Sequence, residues 1–355
     1  SKKYYQLWDW KSLNHPPVRK LKYSLDFYDK KRTKIDYDKI NSPFFDADFH
    51  MVMDKITNSH LTFENKFKLL KNGNSYQKKL ELIRNASSSV FISVMSYFKD
   101  SSSMKMTCEL IKKAEEGVHV YLIVEKVWTK LLMKKGMKPL KNSKVVVIYA
   151  DDLINAEKNR TALFHNKIWV FDGETAIIGG QNIIDSDNIS SGYNHQSHDT
   201  DLLVEGAAVT DITNSYINLL KHYNYEKRSS SRQLAFMEDL QERNDKRFNL
   251  EIENKLRGKD IYKEKLLDKN TRLDGVCRYI IQGPVSNRYA VSKAYTFYFK
   301  NAQNSIDITS GKVKIDTENE KEINAYEGWS ERMWNQIISS AESGVRVNLI
   351  YNGID

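Results

Sequence analysis

The residues best suited to chemistry lie between His165 and Asn182, where the sequence reads HNKIWVFDGETAIIGGQN, a pattern of the form HxK(x)4D(x)6GGxN. A strand places alternate side chains on one face, so His165 and Lys167 should point the same way. Lysine can hold the negative charge of a phosphodiester, and the Asn182 amide can donate to it. Histidine can attack phosphorus and leave again. The pattern therefore predicts phosphodiester chemistry at this stretch.

Two further parts of the pattern concern the backbone. Asp172 and Gly173 stand between the apolar runs IWVF and AII, which indicates a tight turn joining two strands. Gly179 and Gly180 have no side chains, so their backbone N–H groups could approach a phosphate closely. The sequence thus predicts a hairpin followed by a phosphate-binding glycine pair.

This spacing resembles the catalytic motif of the phospholipase D superfamily, whose members break or exchange phosphodiester bonds. The resemblance implies catalytic roles for His165, Lys167 and Asp172. It implies contacts to the substrate phosphate from four residues: Lys167, Asn182, Gly179 and Gly180. It also implies a phosphohistidine intermediate formed by one histidine of a pair, and leaves open which one attacks. Superfamily chemistry proceeds without a metal, so no metal or other cofactor is expected.

A second patch, SHDTDLLVEGAAV at residues 197–209, most closely resembles an element that follows the motif in the bacterial cardiolipin synthase-like branch of the superfamily. That element supplies an acidic partner for a catalytic histidine, which fixes the tautomer of the ring and stabilises its cation. Asp199 occupies the matching position, and Asp201 is the second choice. The neighbouring His195 and His198 fit neither a helical i, i+4 pair nor a common zinc spacing, so no metal site is predicted.

Charge restricts the partners. The chain has 355 residues and a formal net charge of +9, which favours anionic partners such as acidic lipid surfaces or nucleic acid. The clearest basic cluster interleaves lysines with leucines and methionines, a pattern that can lie on an anionic bilayer: Lys130, Lys134, Lys135, Lys138, Lys141 and Lys144. Peripheral membrane association is therefore expected. The compartment stays open, and a secreted or periplasmic protein after removal of a leader is compatible with the sequence.

The chain also repeats itself. AEEGVHVYLI at 114–123 corresponds to AESGVRVNLI at 341–350, and NASSSVFIS at 85–93 corresponds to NAQNSIDIT at 301–309. Each copy reads as helix, strand, helix, strand. Alternating elements of this kind predict an α/β fold with a mixed, mostly parallel sheet flanked by helices. The superfamily resemblance adds that the two repeats are pseudo-symmetric and contribute one motif each to a single site.

Four segments follow from the repeat: an N-terminal arm at 1–60, a first phospholipase D-like repeat with the motif at 61–226, a charged helical linker at 227–275, and the start of a second repeat at 276–355. The copies at 114 and 341 are 227 residues apart, so a second motif would fall near position 392, beyond Asp355. We therefore expect the partner motif on a C-terminal fragment of the same protein or on a second copy.

The leading hypothesis is a phospholipase D-type phosphodiesterase or phosphatidyltransferase acting on phospholipid headgroups. A nuclease of the same superfamily is the alternative, because the phosphodiester of a nucleic acid presents the same charge and geometry. A non-catalytic protein that binds lipid or a partner through a relic half-site is the third possibility. The sequence leaves open the headgroup, the acceptor and the choice between hydrolysis and transfer.

Overall fold

The structure is a computed structural model, and it describes residues 43–126, 129, 138–150, 164–188, 199–253, 258–268, 273–282, 290–310, 314–315, 328–329 and 331–351. Several sequence predictions fall outside these ranges: most of the N-terminal arm, His195, His198, Lys130, Lys134 and Lys135.

Thirteen strands are described: β1 Leu61–Thr62, β2 Lys66–Lys71, β3 Ser89–Val94, β4 His119–Glu125, β5 Val146–Ala150, β6 Ile168–Phe171, β7 Thr175–Gly179, β8 Thr200–Glu205, β9 Cys277–Arg278, β10 Ser305–Ser310, β11 Lys314–Ile315, β12 Gly328–Trp329 and β13 Arg346–Tyr351. The described α-helices are α1 Ala47–Thr57, α2 Gly73–Asn85, α3 Ser101–Glu115, α4 Lys138–Lys141, α5 Asp185–Asn188, α6 Ala208–His222, α7 Ser231–Glu253, α8 Lys259–Leu267, α9 Ala290–Asn301 and α10 Glu331–Glu342. Short 3-10 helices lie at Pro43–Phe45, Tyr225–Arg228 and Leu273–Gly275.

A seven-stranded sheet in the order β2-β8-β7-β6-β3-β4-β5 positions the motif. Its central strands are mostly apolar, and all six residues of β3 are buried. Such strands need cover on both faces. Helices α2 and α3 pack on one face over Trp169 and Phe171, and helices α6 and α7 pack on the other over Ile168 and Val170. The sheet is therefore the middle layer of three.

The expectation of a mostly parallel sheet is wrong, although the α/β class is right. Only β3–β4 and β4–β5 pair in parallel, whereas β2–β8, β8–β7, β7–β6 and β6–β3 pair antiparallel. The physical reason is the tight turn after Phe171, because a short turn can join only antiparallel neighbours. Asp172 and Gly173 have φ of +55° and +72° there, so the predicted turn is present.

The two sequence repeats adopt the same local structure. β3 pairs in parallel with β4 starting at Ser89 opposite His119, and β10 pairs in parallel with β13 starting at Ser305 opposite Arg346. These are equivalent positions in the two copies, so the register is the same. The helices before β4 and β13 both end at a glycine with positive φ, 99° at Gly117 and 96° at Gly344, where a residue without a Cβ ends a helix at least cost.

Helices α7 and α8 occupy most of the segment predicted to be a charged helical linker. Met237 of α7 is buried against the sheet, so at least this helix packs onto the first repeat. Tyr262 of α8 is buried with Leu61 and donates a hydrogen bond of 2.8 Å to Asp54 of α1. Among the described residues, no helix combines the length and apolar composition that crossing a bilayer requires.

Candidate active site

His165 and Lys167 lie directly before β6, at the edge of the sheet where β7 ends and β8 begins. Lys167 is buried, with 6% of its surface exposed, whereas His165 is exposed. The Nζ of Lys167 lies 3.2 Å from Nδ1 and 3.4 Å from Nε2 of His165, and it donates a hydrogen bond of 2.9 Å to the His165 carbonyl. The structure therefore brings the two residues together and leaves the imidazole open to solvent.

Burial sets the charge states of this pair. Burial lowers the pKa of Lys167 to about 8, and the nearby Asp199, Asp187 and Asp201 carboxylates partly oppose this shift. The pKa of His165 lies below its ordinary value, first because the ring is partly desolvated and second because the Lys167 ammonium is near. Near neutral pH, Lys167 is therefore mostly charged while His165 is mostly neutral.

Asp199 lies next to this pair, directly before β8. Its carboxylate accepts a hydrogen bond of 2.8 Å from the Thr200 N–H, and its own N–H donates to Asn72 Oδ1 at 2.9 Å. Burial raises the pKa of Asp199, and the Lys167 ammonium opposes that shift. Within the described ranges, Asp199 makes no hydrogen bond to His165, so its role as the partner of the histidine stays a prediction. Asp199 interacts with the motif through the electrostatic attraction between its carboxylate and the Lys167 ammonium.

Asp201, the second choice for that partner, has a different role. Its carboxylate is buried and pairs with Lys79 at 2.6 Å, while Ser75 Oγ donates to the same oxygen at 2.5 Å. The Gln181 N–H donates to its other oxygen at 3.3 Å. Because these contacts use the Asp201 carboxylate in binding α2 to the sheet, it is not available to a catalytic histidine.

Asn182 is half-buried, and hydrogen bonds of its side-chain amide hold it in place. Its Oδ1 accepts a hydrogen bond of 3.1 Å from the Ser96 N–H, and its Nδ2 lies 3.4 Å from Asp187 Oδ2. A side-chain amide carries two N–H donors, and one of them is directed at Asp187. The other leaves Asn182 able to donate to a substrate oxygen, which stays a prediction.

Close packing accounts for the glycine pair, and its contact with a substrate phosphate stays a prediction. The N–H of Gly179 donates to the Lys167 carbonyl at 3.4 Å and that of Gly180 to the Thr200 carbonyl at 3.2 Å, so both N–H groups have backbone partners. A Cβ at Gly179 would overlap Asp201, and a Cβ at Gly180 would overlap the Asp199 carboxylate. Glycine is needed here because β8 and its acidic residues pass so close.

The structure places Asp172 away from His165 and Lys167, and its catalytic role stays a prediction. Asp172 lies at the far end of β6 from Lys167, about 16 Å away for five residues of strand. Its carboxylate accepts hydrogen bonds of 2.8–2.9 Å from the N–H groups of Ser87, Ser88 and Ser89. These contacts fix the hairpin turn against the start of β3.

Sequence reasoning missed Asp187 and the buried cation Lys79. Asp187 is 4% exposed, accepts a hydrogen bond of 3.0 Å from the Asn182 N–H, and lies close enough to raise the pKa of Lys167. Lys79 is 2% exposed, and its Nζ lies 4.8 Å from the centre of the Trp169 ring. A signal for Asp187 existed in the D-S-D run that follows the glycines. Lys79 gave none, because it is one lysine in a polar helix.

The described residues contain no group of three or more histidine, cysteine, aspartate or glutamate side chains arranged to hold a metal ion. The structure brings together His165, Lys167 and the Asp199, Asp187 and Asp201 carboxylates at this site. Together these groups offer a neutral imidazole beside a buried cation, an arrangement suited to a nucleophile and an anionic substrate.

Comparison with known proteins agrees with this geometry. Residues 80–221 match the family described as cardiolipin synthase, PLD-like domain. Cardiolipin synthase 1 of Bacillus anthracis is 30% identical over 145 residues, which cover 40% of this chain and 28% of that protein. The major cardiolipin synthase ClsA of Bacillus subtilis is 28% identical over 170 residues, covering 46% of this chain and 35% of that protein.

Among solved structures, phosphatidylserine synthase from Haemophilus influenzae has the same fold, with a TM-score of 0.51 and 13% identity over 85% of this chain and 66% of that one. The matches to the two cardiolipin synthases span about a third of their length. Residues 80–221, which contain the motif and most of the seven-stranded sheet, are therefore similar to the phospholipase D-like domain of cardiolipin synthases.

Proposed function

We propose that this chain supplies a catalytic half-site of a phospholipase D-type enzyme that hydrolyses or exchanges the headgroup ester of a phospholipid. One observation carries the proposal. The buried Lys167 ammonium lies within 3.4 Å of both ring nitrogens of His165. Partial burial of the ring and this cation together keep the imidazole unprotonated near neutral pH, and the ammonium lies where it could bind a phosphate charge.

The reaction would take place in two displacements. A ring nitrogen of His165 attacks phosphorus, a nitrogen–phosphorus bond forms, and the bond to the headgroup oxygen breaks. The departing oxygen takes a proton from a general acid. Water or an acceptor alcohol then gives a proton to the same group and attacks phosphorus, and the nitrogen–phosphorus bond breaks. Lys167 and the free donor of Asn182 would hold the non-bridging oxygens throughout.

The general acid would be a second histidine. The sequence carries one HxK(x)4D motif, and the described residues place no other histidine beside Lys167. We propose that the second motif comes from outside these 355 residues, either from a C-terminal fragment of the same protein or from a second copy. In this arrangement either histidine can be the nucleophile, and the other is the acid.

Two features favour a lipid over a nucleic acid as substrate. The relatives above are named for making the phospholipids cardiolipin and phosphatidylserine. An apolar cavity of about 370 Å³ lies between β7, β8 and α9, and its wall includes Ile178 and Leu202. These two residues directly adjoin Gly179 and Asp201 in sequence. A cavity of this size and character suits an apolar ligand group such as an acyl chain.

The test is turnover of phosphatidylglycerol in mixed micelles by the purified chain, alone and together with a polypeptide that carries the second motif. We expect release of glycerol in the combined sample and, after an acid quench, a phosphatidyl adduct on a histidine detected by mass spectrometry. Cleavage of DNA with untouched phospholipid would support the nuclease instead. Binding of micelles without any turnover in the combined sample would support the non-catalytic alternative.

The pH dependence of kcat/KM should be bell-shaped. Activity needs a neutral His165, a charged Lys167 and a protonated general acid. It should therefore rise at a pKa below the ordinary histidine value of 6.5, as His165 loses its proton, and fall by about pH 8, where Lys167 loses its proton. Lys167→Ala should lower kcat/KM by about 10²–10³-fold, the scale of one positioned donor. It should also move the acid limb to higher pH, because the charge beside His165 is gone.

Lys167→Arg is the matched control for this prediction. It keeps a charge beside His165, so the acid limb should stay in place. A planar guanidinium cannot replace an ammonium in a tight site, so most of the rate should stay lost. An acid limb that does not move in Lys167→Ala would show that the Lys167 charge does not act on His165.

Filling the apolar cavity should affect long-chain substrates selectively. Val291 lines the cavity from α9, and Val291→Trp should lower kcat/KM for a long-chain phospholipid by at least about tenfold. Cleavage of bis(p-nitrophenyl) phosphate, which has no acyl chain, should not change. Lys293→Trp is the control, since Lys293 is exposed on the same helix and does not line the cavity. If Val291→Trp lowered kcat/KM equally for both substrates, the proposal that this cavity binds an acyl chain would be wrong.

A further inference from the structure

A cationic cavity lies at the end of the sheet opposite to His165. Its volume is about 300 Å³, and it forms where β4, β5 and α7 all begin. Four basic side chains line it: His119, Lys144, Arg228 and Arg232. His119 and Ile123 are the first and fifth residues of β4, and Ile123 is opposite Ser93, which pairs with Ile168 of the motif strand. The cavity is therefore about 15 Å along the sheet from the motif.

The basic groups of this cavity lack carboxylate partners. No aspartate or glutamate lines the cavity, and within the described residues Lys144, Arg228 and Arg232 form no ion pair. Other cations on the same helix behave differently. Arg243 pairs with Asp239 at 2.8 Å and Lys246 pairs with Glu242 at 2.6 Å. The absence of counter-charge is thus a property of this cavity and not of the helix as a whole.

Local contacts keep these groups around the same space. Arg232 Nη2 donates to the Gly117 carbonyl at 3.4 Å, and Gln233 Nε2 donates to the Lys144 carbonyl at 3.1 Å, so the start of α7 is tied to both strand beginnings. The Arg228 guanidinium lies 5.7 Å from the centre of the Tyr149 ring. The His119 ring stacks on Phe236 with centroids 4.0 Å apart.

We infer that this cavity binds a phosphate group, either of free phosphate or of an anionic phospholipid. Like charges gathered without counter-ions attract an anion. Two guanidinium groups and one ammonium match the several oxygens of a phosphate, and the cavity also receives the N-terminus of a 23-residue helix, whose dipole favours negative charge. This ligand site is separate from the proposed catalytic half-site and does not depend on it.

The experiment uses the full chain with inorganic phosphate and with vesicles of phosphatidylglycerol or phosphatidylcholine. Calorimetry measures phosphate binding, and sedimentation measures vesicle binding. NMR follows the His119 ring, whose pKa is held below its ordinary value by burial and by Arg232. Bound phosphate should raise that pKa. If the ligand is free phosphate, calorimetry should show binding of inorganic phosphate at one site. If the ligand is a phospholipid headgroup, the chain should sediment with phosphatidylglycerol vesicles in preference to phosphatidylcholine vesicles.

Matched double variants separate a site from general charge. Lys144→Gln with Arg232→Gln should weaken binding at least tenfold and abolish the His119 shift. Arg243→Gln with Lys246→Gln removes one lysine and one arginine from the exposed surface. This double variant should leave the binding affinity and the His119 shift unchanged. Unchanged circular dichroism would show that the variants fold. Equal weakening in both double variants, or no binding of either probe by the unaltered chain, would overturn the inference.

Discussion

His165→Asn should abolish phosphodiester turnover while leaving the fold intact. Asparagine cannot form a comparable bond to phosphorus or move a proton, so kcat should fall by at least about 10⁴-fold, the scale on which loss of a nucleophile acts. His165 is exposed and precedes β6, so the free energy of unfolding should change little. Rates of headgroup release and urea unfolding curves measure the two effects.

His222→Asn is the control for this substitution, because His222 is an exposed histidine at the end of α6. It should retain full activity. Substantial turnover by His165→Asn, with no contaminating enzyme, would show that this histidine is neither nucleophile nor acid, and the half-site proposed above would be wrong.

Lys79→Met should destabilise the protein strongly, because Lys79 is a buried cation. Its ammonium is buried against Asp201 at 2.6 Å. Burial lowers the pKa of Lys79, and the Asp201 carboxylate opposes that shift. Removing the lysine leaves a buried carboxylate without a counter-charge, which typically costs about 3–5 kcal/mol. Urea unfolding should detect a loss of that size, and activity should fall because β8 carries Asp199 beside Lys167.

Two variants test whether charge or packing causes this loss. Adding Asp201→Asn to Lys79→Met removes the uncompensated carboxylate and should restore much of the lost stability. Lys78→Met, on the same helix, breaks only a surface pair with Glu81 and should cost less than about 1 kcal/mol. If the single and double variants are equally unstable, packing and not the ion pair stabilises this part of the sheet.

The sequence could predict the parts of the site that local geometry determines. His165 and Lys167 are two residues apart before an apolar strand, so their side chains reach the same place whatever surrounds them. The turn at Asp172–Gly173 and the helix ends at Gly117 and Gly344 are likewise local, because each needs a backbone conformation that few residues adopt.

Other assignments depended on neighbours that are distant in sequence. The parallel content was overestimated because the β6–β7 turn and the following β8 add antiparallel strands to the three parallel strands β3, β4 and β5. Gly179 and Gly180 looked like a phosphate loop, but the approach of Asp201 and Asp199 requires them. Nothing in the sequence showed how closely β8 passes.

By itself, the sequence determined the chemistry: an imidazole and an ammonium at fixed spacing on an α/β scaffold, repeated in part along the chain. Tertiary structure decided which of the charged residues share that chemistry. Asp201 pairs with Lys79, Asp172 binds the start of β3, and Asp199 and Asp187 remain near Lys167. The reason is that a carboxylate acts through its nearest cation and its burial, and both are set by strands and helices that meet only in the folded protein.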